Sequence, residues 1–136
     1  MKRSPKEESL QLQENQHKVV GKHVYGNLYG IEHGILTNMA ALEAATLKAA
    51  EIGNMHIVSL MKKQFKIQGS PNNGGVSIIA IIEESHIALH TWPESSYATI
   101  DIYSCGAQTN PDASFSYFVE VLKPKTYKKY FADRSN

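Results

Sequence analysis

Residues 83–94 read Glu83-Glu84-Ser85-His86-Ile87-Ala88-Leu89-His90-Thr91-Trp92-Pro93-Glu94 and follow an apolar run over residues 78–82. A serine between a carboxylate and an imidazole, at the polar end of a buried strand, sits where the backbone can be held rigidly enough to support chemistry. The plain alternative is a strand-ending turn whose hydroxyl and imidazole only satisfy backbone groups, the usual fate of a Ser-His pair. A second stretch, residues 97–104, alternates polar and apolar residues and ends on Cys105-Gly106. A lone cysteine there is either a small buried hydrophobe or a thiol poised at a strand end to meet a ligand, and position alone leaves both open.

Metal chemistry is the weaker reading of the histidines. His86 and His90 are four apart, which suits a metal on a helix. The β-prone Ile87-Ala88-Leu89 between them favours a strand, where they share a face but lie about 13 Å apart. No glutamate follows His86 in the zinc-protease pattern and no second thiol exists, so no metal is expected.

The elements that must position these residues follow from pattern. Val19, Val20, Val24, Tyr25, Leu28 and Tyr29, broken by Gly21, Gly26 and Gly30, predict a first, bent strand. Thr37 or Asn38 caps a helix in which Met39, Leu42, Thr46, Ala49 and Ile52 recur at helical spacing and Gly53-Asn54 stops it. Strands are expected over residues 55–67, 76–82, 86–91 and 97–104, with a Pro/Asn/Gly loop over residues 68–75. Pro111 opens a second helix with Phe115, Phe118, Val119 and Leu122 on one face, and residues 125–131 return as an edge strand. The expected architecture is α/β: a two-layer sandwich with a mostly antiparallel sheet and two helices on one face. The run over residues 78–82 is apolar at every position, so the other face of the sheet calls for cover by a second subunit or further sheet packing.

The chain has 136 residues, 42% of them hydrophobic, enough for one core and too few for two ordinary domains. Residues 1–16 mix Lys2, Arg3 and Lys6 with Glu7, Glu8 and Glu14 around Pro5 and are expected to form a flexible tail, leaving residues 17–136 as the domain. Fourteen basic against thirteen acidic residues leave a net charge of +1, with no broad field for nucleic acid or an anionic membrane. No apolar run approaches the roughly twenty residues of a membrane span. One cysteine and no leader-like segment point to a reducing cytoplasm.

Read together, the stretches 84–94 and 97–106 closely resemble the self-processing core of the small prokaryotic S-adenosylmethionine decarboxylase family, and the match runs without a gap from Glu84 to Gly106. Val76-Ser77 stands at the family's distance before the serine, and the element order agrees with the family's fold. The resemblance implies a proenzyme that cuts itself between Glu84 and Ser85 into chains 1–84 and 85–136. The Ser85 hydroxyl would attack the preceding carbonyl, elimination would follow, and hydrolysis would leave a pyruvoyl group made from Ser85. By motif position His90 is the processing base, Ser77 stabilises the acyl-shift intermediate, and Cys105 is the proton donor in turnover. The chemistry needs such a group: an amino acid loses its carboxylate only if the electrons left behind have a sink, and a protonated Schiff base to an electron-poor carbonyl supplies one that no standard side chain has.

The resemblance implies a small amino-acid substrate and a homo-oligomer of processed chain pairs, while the near-neutral charge and the lack of a long apolar run leave no nucleic-acid or membrane partner expected. Many adenosylmethionine-specific members place an extra aromatic before the central strand to sandwich adenine, whereas this chain reads Phe65-Lys66-Ile67-Gln68-Gly69-Ser70-Pro71-Asn72-Asn73-Gly74-Gly75-Val76-Ser77 and lacks one expected ring. Gly21-Lys22-His23-Val24-Tyr25-Gly26-Asn27-Leu28-Tyr29-Gly30 looks like the corresponding segment of the archaeal arginine decarboxylases of the same family. The favoured reading is therefore L-arginine to agmatine and CO2 for polyamine synthesis, with S-adenosylmethionine as the alternative. A guanidinium needs a carboxylate or ring face, and Glu32, Asp101 and Tyr29 are available without being assigned. A remoter reading is a non-enzymatic dimeric module using Lys123, Lys125, Lys128 and Lys129 against an acidic partner; a solvated edge strand explains that cluster more simply.

Overall fold

The computed structural model describes residues 4–7, 18–70 and 73–136. In chain order these give β1 (Gly21–Tyr29), α1 (His33–Leu36), α2 (Met39–Ile52), β2 (Ile57–Lys66), β3 (Asn73–Ile82), β4 (Ser85–Trp92), a 3-10 turn (Pro93–Ser95), β5 (Tyr97–Cys105), α3 (Pro111–Leu122) and β6 (Thr126–Asp133). Most of the tail expected over residues 1–16 lies outside the described residues; residues 5–7 within it are helical. Among the described residues no helix is long and apolar enough to cross a membrane.

Six strands form one sheet in the order β2-β3-β4-β5-β1-β6, every neighbouring pair antiparallel. Alternation decides which face each residue takes. Val76, Ile78, Ala80 and Ile82 of β3, Ile87 and Leu89 of β4, Ala98, Ile100 and Ile102 of β5, and Val24 and Leu28 of β1 are buried beneath the helices. The core is completed by Leu42, Ala45 and Ala49 of α2 and by Phe115, Phe118 and Leu122 of α3. The helices therefore cover one layer only. On the other face Ile79 and Ile81 are 42% and 54% exposed and Met61 of β2 is 75% exposed, so the uniformly apolar run of β3 resolves into a buried half and an uncovered half.

Both long helices begin as their caps require. The Asn38 side chain accepts from the Ala41 N–H at 3.1 Å, and the Asn110 side chain accepts from the Ala113 N–H at 3.0 Å. Where α2 ends, Gly53 accepts from the Asn110 N–H at 2.9 Å, and the Ser114 hydroxyl donates to the Ala49 carbonyl at 2.6 Å. A Cβ at Gly53 would collide with the Ser114 hydroxyl, so the close crossing of the two helices depends on glycine here.

The short α1 was not expected; four residues are too few to set a helical period. The carbonyl of its last residue, Leu36, accepts from the Thr91 hydroxyl at 2.8 Å, and the Thr91 hydroxyl oxygen in turn accepts from the Val76 N–H at 2.8 Å, which ties α1 to β3 and β4. Strand β6 carries Lys128 and Lys129 along the edge of the sheet, where among the described residues it pairs with β1 alone.

Phe118 is fully buried between the helices and the sheet. Phe118→Ala is expected to lower the unfolding free energy by about 3–5 kcal/mol, the range for deleting a buried aromatic side chain. Urea unfolding of the uncleaved chain checks this, and a loss below about 1 kcal/mol would contradict the packing described.

Candidate functional site

Strands β3 and β4 are joined by the shortest of hairpins. Ile82 pairs with Ser85, leaving Glu83-Glu84 as the turn. Ser85, the first residue of β4, has φ of 147°, a value L-residues rarely adopt. Such a backbone costs on the order of 1–3 kcal/mol and persists only where the surroundings impose it.

The surroundings that do so are identifiable. The turn lies beside the end of β5, where the Cys105 N–H donates to the Glu84 carbonyl at 2.7 Å. The Ser85 hydroxyl and the Cys105 thiol approach to 3.5 Å. Cys105 is itself fixed from below: the buried Ser104 hydroxyl bonds the Thr109 hydroxyl at 2.9 Å, and Thr109 donates to the Gly106 carbonyl at 3.0 Å. On the other side of the turn, Glu84 presents both carboxylate oxygens to His56, one to its backbone N–H at 3.0 Å and one to its Nδ1 at 2.9 Å.

Charge shifts follow these contacts. The hydrogen bond and charge of Glu84 raise the His56 imidazole above its ordinary value. Burial works to raise the Glu84 carboxyl, but the hydrogen bonds from His56 outweigh it and the net direction is down. A hydrogen bond with Cys105, followed by burial, raises the Tyr103 phenol.

A second pair lies further along the same strand. The Ser77 hydroxyl and His90 Nδ1 are 2.8 Å apart, from residues that face each other across β3 and β4. They open onto a cavity of about 420 Å³ lined also by Phe65, Trp92 and Glu94. Between the two pairs the face carries Asp101, which bonds His23 at 3.0 Å and His86 at 3.1 Å. The structure thus joins Ser85 with Cys105 and Ser77 with His90, and keeps the pairs apart: five residues of strand separate Ser85 from His90, about 16 Å. His86 and His90 point to the same face towards different partners, as the strand reading requires. Of the three residues left unassigned for a guanidinium, Asp101 is taken up between the histidines, Tyr29 lies against Tyr97, and Glu32 stands exposed just ahead of α1.

The sequence model of the S-adenosylmethionine decarboxylase family matches residues 22–135. The chain belongs to the S-adenosylmethionine decarboxylase family. A relative from Hyperthermus butylicus, named arginine decarboxylase proenzyme, is 47% identical over 87% of this chain and 80% of its own length. A second arginine decarboxylase proenzyme, from Caldivirga maquilingensis, is 44% identical over 87% and 86%. An S-adenosylmethionine decarboxylase proenzyme from Pyrobaculum neutrophilum is 43% identical over 87% and 91%. Among solved structures, the adenosylmethionine decarboxylase of Aquifex aeolicus superposes with a TM-score of 0.75 at 28% identity, covering 87% of this chain and 92% of that one. Membership of this family makes the chain a decarboxylase proenzyme and sets aside the non-enzymatic module built on the four lysines.

Reading the sequence missed His56, Trp92, Glu94 and Phe65. Trp92 and Glu94 had a usable signal: two and four residues past His90, one at the end of the strand and one in the turn after it. His56 had none, since only folding brings it to Glu84.

Ser85→Gly and Ser85→Ala both remove the hydroxyl, but only glycine adopts positive φ freely. The glycine variant is expected to be the more stable by about 1–2 kcal/mol in denaturant unfolding. Equal stability would mean that the backbone at residue 85 is unstrained.

Proposed function

We propose that this chain cuts itself between Glu84 and Ser85 and that the mature enzyme, chains 1–84 and 85–136, decarboxylates L-arginine to agmatine and CO2. The observation that carries the first half is the hold on the scissile bond: the Glu84 carbonyl accepts from the Cys105 N–H at 2.7 Å while Ser85 sits strained behind it. The Ser85 oxygen bonds to the Glu84 carbonyl carbon, the C–N bond breaks, and the serine proton passes to the freed amine, leaving an ester. The Cys105 N–H is aimed at the oxygen on which negative charge grows during that exchange. Removal of the Ser85 α-proton then expels the Glu84 carboxylate, and addition of water with loss of ammonia leaves a ketone at residue 85. Relief of the positive φ favours cleavage over the intact chain.

The base for the elimination is His90. In the tautomer whose Nδ1–H donates to Ser77, its Nε2 keeps the lone pair a base needs. Within one chain the pair lies on the order of 16 Å from Ser85, which fits a homo-oligomer in which a second copy brings its Ser77 and His90 to the Ser85–Cys105 pair across the uncovered sheet face. Met61, Ile79 and Ile81 supply apolar surface for that contact. In that arrangement Ser77 assists the acyl shift alongside the base.

A pyruvoyl group formed from Ser85 would act as electron sink for carboxylate loss. Cys105, at 3.5 Å from the Ser85 hydroxyl, is the proton donor to the substrate carbon. The cavity beside His90 holds the Glu94 carboxylate and the Trp92 and Phe65 rings, groups that suit a guanidinium. The two arginine decarboxylase proenzymes at 47% and 44% identity support that substrate. S-adenosylmethionine is the second reading, favoured by the relative at 43% and by rings able to stack a purine. A working free thiol at Cys105 suits the cytoplasm.

Carbon dioxide release, measured separately from arginine and from S-adenosylmethionine, tests the substrate. Release from arginine is expected, and release from S-adenosylmethionine alone would overturn it. Cys105→Ala keeps the backbone N–H on Glu84, so cleavage should proceed while decarboxylation falls by about 10²-fold or more; undiminished turnover would remove the thiol from the mechanism.

A further inference from the structure

Outside the residues assigned above, one group touches the scissile turn from a separate part of the chain. His56, on the short link between α2 and β2, grips both turn residues. Its carbonyl accepts from the Glu83 N–H at 2.9 Å, its N–H donates to one Glu84 carboxylate oxygen at 3.0 Å, and its ring Nδ1 meets the other at 2.9 Å. We infer that His56 is a positioning residue for self-cleavage, fixing the acyl side of the Glu84–Ser85 bond by its grip on the Glu84 carboxylate. The inference rests on the self-cleavage reading above.

The competing explanation is a surface ion pair of small consequence, and His56 is indeed 64% exposed. Three features tell against it. Glu84 is only 16% exposed although it sits at a hairpin tip. Both of its carboxylate oxygens go to a single residue, which removes the torsional freedom a lone contact leaves. The Glu84 carbonyl is held from the opposite side by Cys105. The carbonyl carbon that Ser85 must attack is therefore fixed between two anchors on different elements, the arrangement needed to keep it in line with the incoming oxygen. His56 changes no bond itself; the exchange of C–N for C–O stays between Glu84 and Ser85.

The grip has a pH signature. The groups facing the ring are Glu84, then Glu83 at 3.9 Å, and from α2 Glu51, which lines the same hollow and pairs with Lys48. With the imidazole raised, its charged bond to Glu84 is complete below the ordinary histidine value and is lost as pH rises through the raised one. With the carboxyl lowered, the pair is lost at the acid end only as pH falls through that lowered value.

The test follows fragment appearance over time, by denaturing gel and intact mass, in full-length chain made by cell-free translation. Because the ligand-type atoms of His56, Glu83 and Glu84 lie within 4.8 Å of one another, a chelator is present throughout. His56→Ala, checked for native circular dichroism, should cleave about tenfold more slowly or worse. His56→Asn, whose amide N–H reaches the same oxygen without charge, should recover most of the rate. The wild-type to Asn ratio should be greatest below about pH 6.5 and fall towards one above the raised value. A wild-type rate in His56→Ala would overturn the inference, as would equal slowing in both variants with a pH-independent ratio. A wild-type chain that stays whole would sink the self-cleavage reading and this inference with it.

Discussion

The peptide bond between Glu84 and Ser85 is held on both sides, and the rest of the structure exists to hold it there. The Cys105 N–H takes the Glu84 carbonyl at 2.7 Å from β5, His56 takes the carboxylate from the α2–β2 link, and a two-residue turn leaves Ser85 no relaxed backbone conformation. Each contact depends on strand register. The pairing of Ser85 with Ser104 brings Cys105 beside the turn, and that pairing is set by the Pro93–Ser95 turn at the far end of the same hairpin. A slip of one residue would turn the thiol to the helix side and carry its N–H away from the Glu84 carbonyl.

The division of the sheet into a packed face and an uncovered one sets how the chemistry can be completed. Helices α2 and α3 bury the even-numbered residues of β3 and β5, so Ser77, His90, Asp101, Tyr103 and Cys105 all emerge on the uncovered side. That side combines chemical groups with apolar residues a single chain leaves in water. The Ser85–Cys105 pair and the Ser77–His90 pair are both present, yet too far apart along β4 to act on one atom. The homo-oligomer proposed above would place a second copy on this face, answering the exposed apolar surface and the split site together.

The sequence carried the strongly periodic parts of this fold well. Helix α2 runs from Met39 to Ile52 between the cap at Asn38 and the stop at Gly53, as its spacing implies, and α3 begins at Pro111 with Phe115, Phe118 and Leu122 buried. Strand alternation placed His86 and His90 on one face, where the structure has them bonded to Asp101 and Ser77. Boundaries were less legible: β3 begins at Asn73, inside what reads as a Gly-rich loop, because glycines there let the strand continue against β2 and Thr91. Ser77, Ser85, His90 and Cys105 were singled out by motif, yet their grouping into two pairs is a property of register that spacing does not encode. Nor does any local signal announce the strain at Ser85 or the reach of His56, since both arise from contacts between residues distant in sequence.

The most direct measurement is the intact mass of purified, catalytically active protein. The account requires two chains, one ending at Glu84 and one beginning at residue 85 with a keto group where the amine would stand. Active material consisting only of the unbroken 136-residue chain, with Ser85 still joined to Glu84, would contradict it.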